Sequence, residues 1–158
     1  MPADRPAERP RRAAGGVIPY VEWYRAGRPE HIQLIKTGIS ALDAKRILAA
    51  LGLPSGEAMR AVNLSSATVN RKAKARQALA PQESERVLGV AKLVGQVQAM
   101  VEESGNTDGF DAGTWVSHWL REPIPALDGQ RPMDLLDTME GQALVSETLA
   151  RMQSGAYA

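Results

Sequence analysis

The chain has 158 residues, of which 44% are apolar and 23% charged, a balance typical of one globular domain or two small ones. It contains no cysteine, which excludes disulfides, thiol catalysis and cysteine-ligated zinc. The net charge of +1 indicates no particular partner. The N-terminus has arginines but no uninterrupted apolar segment, so we expect no secretory signal. No apolar run approaches the roughly 18–20 residues that cross a bilayer, so we expect a cytoplasmic protein.

The first 18 residues are rich in Pro, Arg, Ala and Gly and have too little apolar surface to offset the entropy cost of ordering. We expect a disordered tail over 1–18, although a basic arm of this kind could also touch DNA or a partner. From Pro19 onward apolar residues recur at helical spacing, so the predicted fold is all-α. The predicted organisation is the tail, a helix-turn-helix domain over 19–80 and a second small helical domain over 81–158.

Residues that favour helix starts and stops set the predicted boundaries. In chain order, helices are predicted over 19–26, 29–37, 40–51, 54–62 and 66–77, and then from about 81, 111, 132 and 138. The helix over 40–51 places four apolar residues, Leu42 among them, at helical spacing, and the long helix from Pro81 carries a stripe of the same period. Trp115 and Trp119 are four residues apart, share one helix face and are expected in the core.

The segment over 55–77 has the dimensions of a helix-turn-helix motif. Asn63 occupies the turn, where many such motifs carry Gly and where Asn tolerates a positive φ better than other side chains. Ser65 is predicted to cap the second helix. Three apolar residues are predicted to face the core: Leu64, Val69 and Ala73.

Between Glu57 and Glu83 the chain has no acidic residue, although several basic residues lie there. A recognition helix reads base edges through its N-terminal part, and Asn suits adenine as Arg suits guanine, so Asn70 and Arg71 are predicted to contact bases. The other predicted DNA contacts, mainly with phosphates, are Ser65, Ser66, Lys72, Lys74 and Arg76. A solvated basic helix face would explain the same charges without DNA.

The C-terminal half carries the most specific motif. Trp119-Leu120 is followed by Pro125-Ala126-Leu127-Asp128-Gly129, then Pro132-Met133-Asp134-Leu135-Leu136-Asp137-Thr138, and the chain ends in Gly155-Ala156-Tyr157-Ala158. This set closely resembles the toxin-binding domain of the Xre/ParS/MbcA-type antitoxins, whose signature is Trp-Leu, Pro-x-Leu-x-Gly, Pro-x-Asp-Leu-Leu-x-Thr and a final Gly-x-Tyr/Phe-x. The segment over about 35–93 is similar to their Xre-like helix-turn-helix, so the resemblance covers roughly 35–158.

The resemblance implies an antitoxin that blocks a protein encoded beside it, most often a RES-domain toxin that resembles ADP-ribosyltransferases and destroys NAD. In such antitoxins the tail enters or covers the toxin's NAD pocket, which assigns toxin contact here to Arg151, Gly155, Ala156, Tyr157 and Ala158. It also implies repression of the operon through operator DNA, as a homodimer or in a larger toxin–antitoxin complex. Tyr157 is consistent with this role, because an aromatic side chain at a terminus is a typical interface anchor. The alternative is that Tyr157 lies on its own domain.

Catalysis is not expected. The two histidines, His31 and His118, lie in different predicted domains, and neither has a carboxylate partner in a recognisable motif. No phosphate-binding loop, nucleophile elbow or metal-ligand cluster appears, so we expect no cofactor and no metal. Two other functions stay open. One is a stand-alone transcriptional regulator whose C-terminal half dimerises, and the other is a helix-turn-helix that serves only for dimerisation or toxin docking.

Overall fold

The computed structural model describes residues 16–155. The predictions for the first 15 residues and for Ala156, Tyr157 and Ala158 therefore lie outside the described residues. The all-α prediction is confirmed, since no strand forms in the described part of the chain.

The α-helices are α1 (Tyr20–Arg25), α2 (Arg28–Thr37), α3 (Ala41–Ala49), α4 (Ser55–Ala61), α5 (Ser66–Lys74), α6 (Pro81–Ser104), α7 (Ala112–Leu120) and α8 (Met139–Gln153). Two short 3-10 helices, at Pro125–Leu127 and Pro132–Leu135, lie in the Pro-rich connector between α7 and α8. Proline suits the first turn of each because it has no N–H to leave unpaired there.

The long helix α6 is the central element of the fold, and α1, α2, α3, α7 and α8 all pack against it. Its apolar stripe is buried as predicted, apart from the half-buried Val101. Two glycines allow close approach: a Cβ at Gly95 would fall on the carbonyl oxygen of Tyr20 in α1, and one at Gly89 on the side-chain amide of Gln142 in α8. Helices from both halves of the chain thus share one buried core around α6.

The packed chain begins a few residues earlier than predicted. Ile18 lies at the end of the predicted tail but is only 6% exposed and belongs to the core. The guanidinium of Arg46 in α3 donates a hydrogen bond to the carbonyl oxygen of Gly16. The last residues of the predicted tail are therefore held by both apolar packing and a hydrogen bond.

The segment that precedes α3 and the segment that follows α5 are hydrogen-bonded to each other. The Ala41 N–H donates to the Gln77 carbonyl at 3.0 Å, and the Leu79 N–H donates to the Ile39 carbonyl at 2.8 Å. The buried Ser84 hydroxyl accepts from the Ile39 N–H at 2.9 Å and donates to the Leu79 carbonyl at 3.3 Å. These hydrogen bonds attach helices α3, α4 and α5 to the start of α6.

Two details differ from the sequence predictions. Helix α5 ends at Lys74 and does not continue to Gln77, because Arg76 adopts a left-handed φ of 54° that stops the helix. Leu42 is 51% exposed, because the face of α3 that packs on the core is the one that carries Ile47.

The C-terminal helices begin at the predicted caps. The side chains of Asp111 and Thr138 accept hydrogen bonds from the backbone N–H three residues later, at 2.7 and 3.0 Å. Trp119 is 4% exposed and lies in the core as expected. The same expectation is wrong for Trp115, which stacks on the buried Trp119 with ring centroids 6.1 Å apart but is itself 36% exposed.

Candidate functional site

The turn between α4 and α5 has a well-defined backbone. Both helices end in a Schellman motif with a non-glycine residue in the left-handed position. Asn63 has φ 53° after α4, as predicted, and Arg76 has φ 54° after α5. The residue after each of them donates its backbone N–H to the carbonyl five residues back, at 2.8 Å in both cases. Two carbonyls at the end of each helix are thereby satisfied.

Helix α5 presents one face to the core and the other outward. The Ser65 hydroxyl caps it by accepting from the Thr68 N–H at 3.3 Å, and the predicted inner residues Leu64, Val69 and Ala73 are all buried. Six of the predicted DNA contacts are exposed along α5 and its two ends: Ser65, Ser66, Asn70, Arg71, Lys74 and Arg76. We refer to these six residues as the α5 surface.

Lys72 differs from the other predicted DNA contacts. Its ammonium lies 3.1 Å from the Glu83 carboxylate, and both side chains are only 18% exposed. The same carboxylate oxygen accepts from the Ala80 N–H at the start of α6, at 3.1 Å. Lys72 thus has an internal partner that ties α5 to α6.

A basic residue from outside the helix-turn-helix motif, which the sequence did not indicate, holds the turn in place. The Arg86 side chain in α6 donates to the carbonyls of Val62 and Asn63, at 2.7 and 3.2 Å. The Arg86 carbonyl in turn accepts from the Gln142 amide of α8 at 3.0 Å, and that amide also donates to the Leu136 carbonyl at 2.9 Å. One chain of hydrogen bonds therefore runs from the helix-turn-helix to α8. Arg86 had no local signal, since it lies in a helix interior far from the turn in sequence.

A groove of about 370 Å³ lies between the exposed sides of α3 and α5. Its lining is Leu42, Lys45, Asn70, Ala73 and Lys74. Lys45 and Leu42 are three residues apart on the outward face of α3 and are both exposed. Lys45 could not be recognised from the sequence, because it lies in another helix and outside the acid-free segment.

The outward face of α8 exposes two large apolar side chains, Leu144 and Met152. Val145 and Leu149 are buried, and the Gln96 and Ser146 side chains bond to each other at 2.9 Å, which anchors α8 to α6. The opposite side exposes Ala143, Leu144, Glu147, Ala150, Arg151 and Met152, which we call the α8 surface. Gly155, with φ 74°, follows the helix end and is exposed.

Within residues 16–155 the side chains form no recognisable catalytic group. His31 Nε2 lies 2.6 Å from the Trp23 carbonyl oxygen, and His118 is exposed on α7. No group of three or more His, Asp or Glu in this range could hold a metal ion. Burial raises the pKa of Tyr20 and lowers the pKa of Lys92, so packing is the main cause of both shifts. Among the helices of residues 16–155, none combines the length and the apolar composition that a membrane-spanning helix requires.

Comparison with known proteins gives two family matches and two related proteins. The antitoxin Xre-like helix-turn-helix domain matches residues 30–92, and the antitoxin Xre/MbcA/ParS C-terminal toxin-binding domain matches residues 108–155. The chain is 56% identical over 151 residues to the Prs ADP-ribosylating antitoxin of Sphingobium sp. (strain YBL2), covering 94% of this chain and 95% of that protein. It is 28% identical over 140 residues to Antitoxin Xre of Yersinia enterocolitica serotype O:8 / biotype 1B (strain NCTC 13174 / 8081), covering 85% and 89%.

Proposed function

The chain belongs to the Xre/MbcA/ParS family of antitoxins, and from this premise we propose that it neutralises a RES-type, NAD-consuming toxin with its C-terminal tail and represses its own operon through α5. Binding of a toxin follows from the family.

The proposed neutralisation of the toxin is supported mainly by the conformation of the chain at the end of α8. Gly155 has a left-handed φ of 74° and is exposed, so the chain can leave the helix there. Tyr157 lies two residues after Gly155 in the sequence. An aromatic ring on a short tail can stack in a pocket built for the adenine or nicotinamide ring of NAD, and the Arg151 guanidinium suits the pyrophosphate.

The α8 surface can add to the contact area between the antitoxin and the toxin, next to the tail. Leu144 and Met152 are about 40% exposed, and small alanine side chains beside them let another protein approach the helix backbone. Tight binding rests on a few apolar anchors surrounded by near-neutral contacts. We assign Leu144, Met152 and Tyr157 to the anchors.

NAD is the expected substrate of the toxin in either of two reactions. A toxin that degrades NAD transfers the ADP-ribosyl group to water as the bond to nicotinamide breaks. The name of the relative at 56% identity favours a second candidate, in which a protein side chain accepts the same group. A tail that occupies the nicotinamide or adenine pocket blocks both reactions.

The DNA half of the proposal is supported by the α5 surface. Its exposed Asn70 and Arg71 suit base edges, while Lys74 and Arg76 suit phosphates. We propose that the chain acts without catalysis and binds its operator as a homodimer or in a complex with the toxin. A stand-alone transcriptional regulator and a purely dimerising or docking helix-turn-helix are the competing functions.

Co-expression with the neighbouring gene product tests the proposal. We expect the full chain to co-purify with that protein, restore growth and keep cellular NAD at its normal level. ADP-ribose on cellular proteins, detected by blotting when the antitoxin is absent, separates transfer to protein from hydrolysis. Failure to restore growth while the chain still binds its upstream promoter would favour the stand-alone regulator.

A further inference from the structure

The groove between α3 and α5 brings a residue outside the helix-turn-helix next to the α5 surface. Lys45 comes from α3, while Asn70 and Lys74 come from α5, and all three line the same groove of about 370 Å³. Asn70 is the residue assigned to base reading. A nucleic-acid strand that passes Asn70 therefore has ammonium groups from two different helices along its path.

The charge of this groove suits a phosphate strand. None of its lining residues is acidic. Asp43 is the one carboxylate of α3, and it is only 7% exposed. It accepts a hydrogen bond from the Arg46 guanidinium at 3.1 Å, so its charge is paired and shielded from the solvent. Lys45 and Lys74 are both exposed. Two exposed cations without a competing carboxylate favour a polyanion over an acid-rimmed protein partner.

We infer that α3 is a second DNA-contacting element and that Lys45 binds a backbone phosphate of the strand whose bases Asn70 reads. The inference rests on the proposed operator binding and extends it to a helix outside the motif. Lys45 positions the recognition helix in the groove and carries no base specificity, because a lysine acts on phosphate as a point charge. Leu42, which is exposed in the same groove, then faces deoxyribose or a thymine methyl.

The salt dependence of binding measures this contact directly. Full-length protein is titrated against a labelled fragment of its upstream promoter by fluorescence anisotropy between about 50 and 200 mM salt. One phosphate contact contributes a slope of about −0.9 in log K against log salt. Lys45→Ala should therefore flatten the slope by about 0.9, so that its affinity falls ~3.5-fold less across this range than that of the wild type. Lys45→Arg should keep the wild-type slope.

Lys36→Ala is the matched control, because Lys36 is an exposed lysine in the last turn of α2 and does not line the groove. Its slope should equal that of the wild type. A Lys45→Ala slope equal to that of Lys36→Ala would overturn the inference and leave operator binding intact. A wild-type chain with no salt-dependent binding would refute operator binding itself, and the inference with it.

A protein partner in the groove is the other outcome. Leu42→Ala and Lys45→Ala are compared with the wild type by light scattering, alone and with the toxin. If either change lowers the mass of the particle, the groove is a protein interface and the DNA inference is wrong. Unchanged masses with a flattened salt slope are the expected result.

Discussion

Substitution of Gly95 by alanine tests the packing on which the fold depends. An added Cβ at this position would fall on the carbonyl oxygen of Tyr20, 2.6 Å from its carbonyl carbon and 2.8 Å from the Cβ of Tyr24. Carbon atoms pack at about 3.5–4.0 Å, so α1 would have to retreat by roughly 1 Å or more. Its retreat would also loosen the packing of Trp23, which is 2% exposed.

Two opposing contributions decide whether Gly95→Ala raises or lowers the free energy of unfolding. Overpacking costs about 1–3 kcal/mol, and the upper value applies because a backbone must move here and not a flexible side chain. Alanine gains up to about 1 kcal/mol over glycine inside a helix. Gly95→Ala should therefore lower the free energy of unfolding by about 2 kcal/mol, or the Tm by about 4–8 °C in a chain of this size.

Gly56→Ala makes the same chemical change in an open site. Its Cβ would meet only the Arg60 guanidinium, at 3.6 Å, which is ordinary contact. This variant should be as stable as the wild type or gain up to about 1 kcal/mol. Both are measured by urea denaturation followed by circular dichroism. If Gly95→Ala were as stable as Gly56→Ala, the close approach of α1 to α6 would be wrong.

The other predictions concern helix ends. Ser65→Ala removes the cap of α5 and should cost about 1 kcal/mol in urea denaturation; no loss would mean that the hydroxyl does not cap the helix. Asn63→Gly relieves a left-handed residue and should gain up to about 1 kcal/mol by the same measurement, whereas a loss would contradict the observed φ. The hydrogen bond from the Thr114 backbone lowers the pKa of Asp111, so the ionised carboxylate stabilises the fold above its ordinary pKa of 3.8 and this contribution fades as pH falls below it. The stability gap between wild type and Asp111→Ala should thus be wider at pH 7 than at pH 3, and an equal gap would refute the charged cap.

Local signals in the sequence were sufficient for much of the fold. Val69 and Ala73 are four residues apart, which fixes the inner face of α5 whatever packs on it, and the tolerance of Asn for positive φ predicted the turn at Asn63. The resemblance to the Xre/ParS/MbcA antitoxins rested on short C-terminal motifs and is confirmed by both family matches.

Features that depend on packing between distant segments could not be predicted in the same way. Helical spacing placed Trp115 in the core, but a residue one turn before a buried Trp can equally cover it from outside. Lys72 has the same charge as its neighbours, and only the fold brings Glu83 within 3.1 Å of it. Arg86 and Lys45 reach the motif from other helices, so neither leaves a signal near it.

Inhibition of the purified toxin by tail variants measures whether Tyr157 anchors the antitoxin in the toxin's pocket. NAD consumption by the neighbouring gene product is measured with increasing amounts of full-length antitoxin, of Tyr157→Ala and of Tyr157→Phe. We predict full inhibition by the wild type and by Tyr157→Phe, which keeps the ring. Tyr157→Ala should lose at least tenfold in potency, equivalent to roughly 1.4 kcal/mol of an anchor's contribution. Equal potency of all three proteins, or of a chain that lacks residues 156–158, would contradict this prediction.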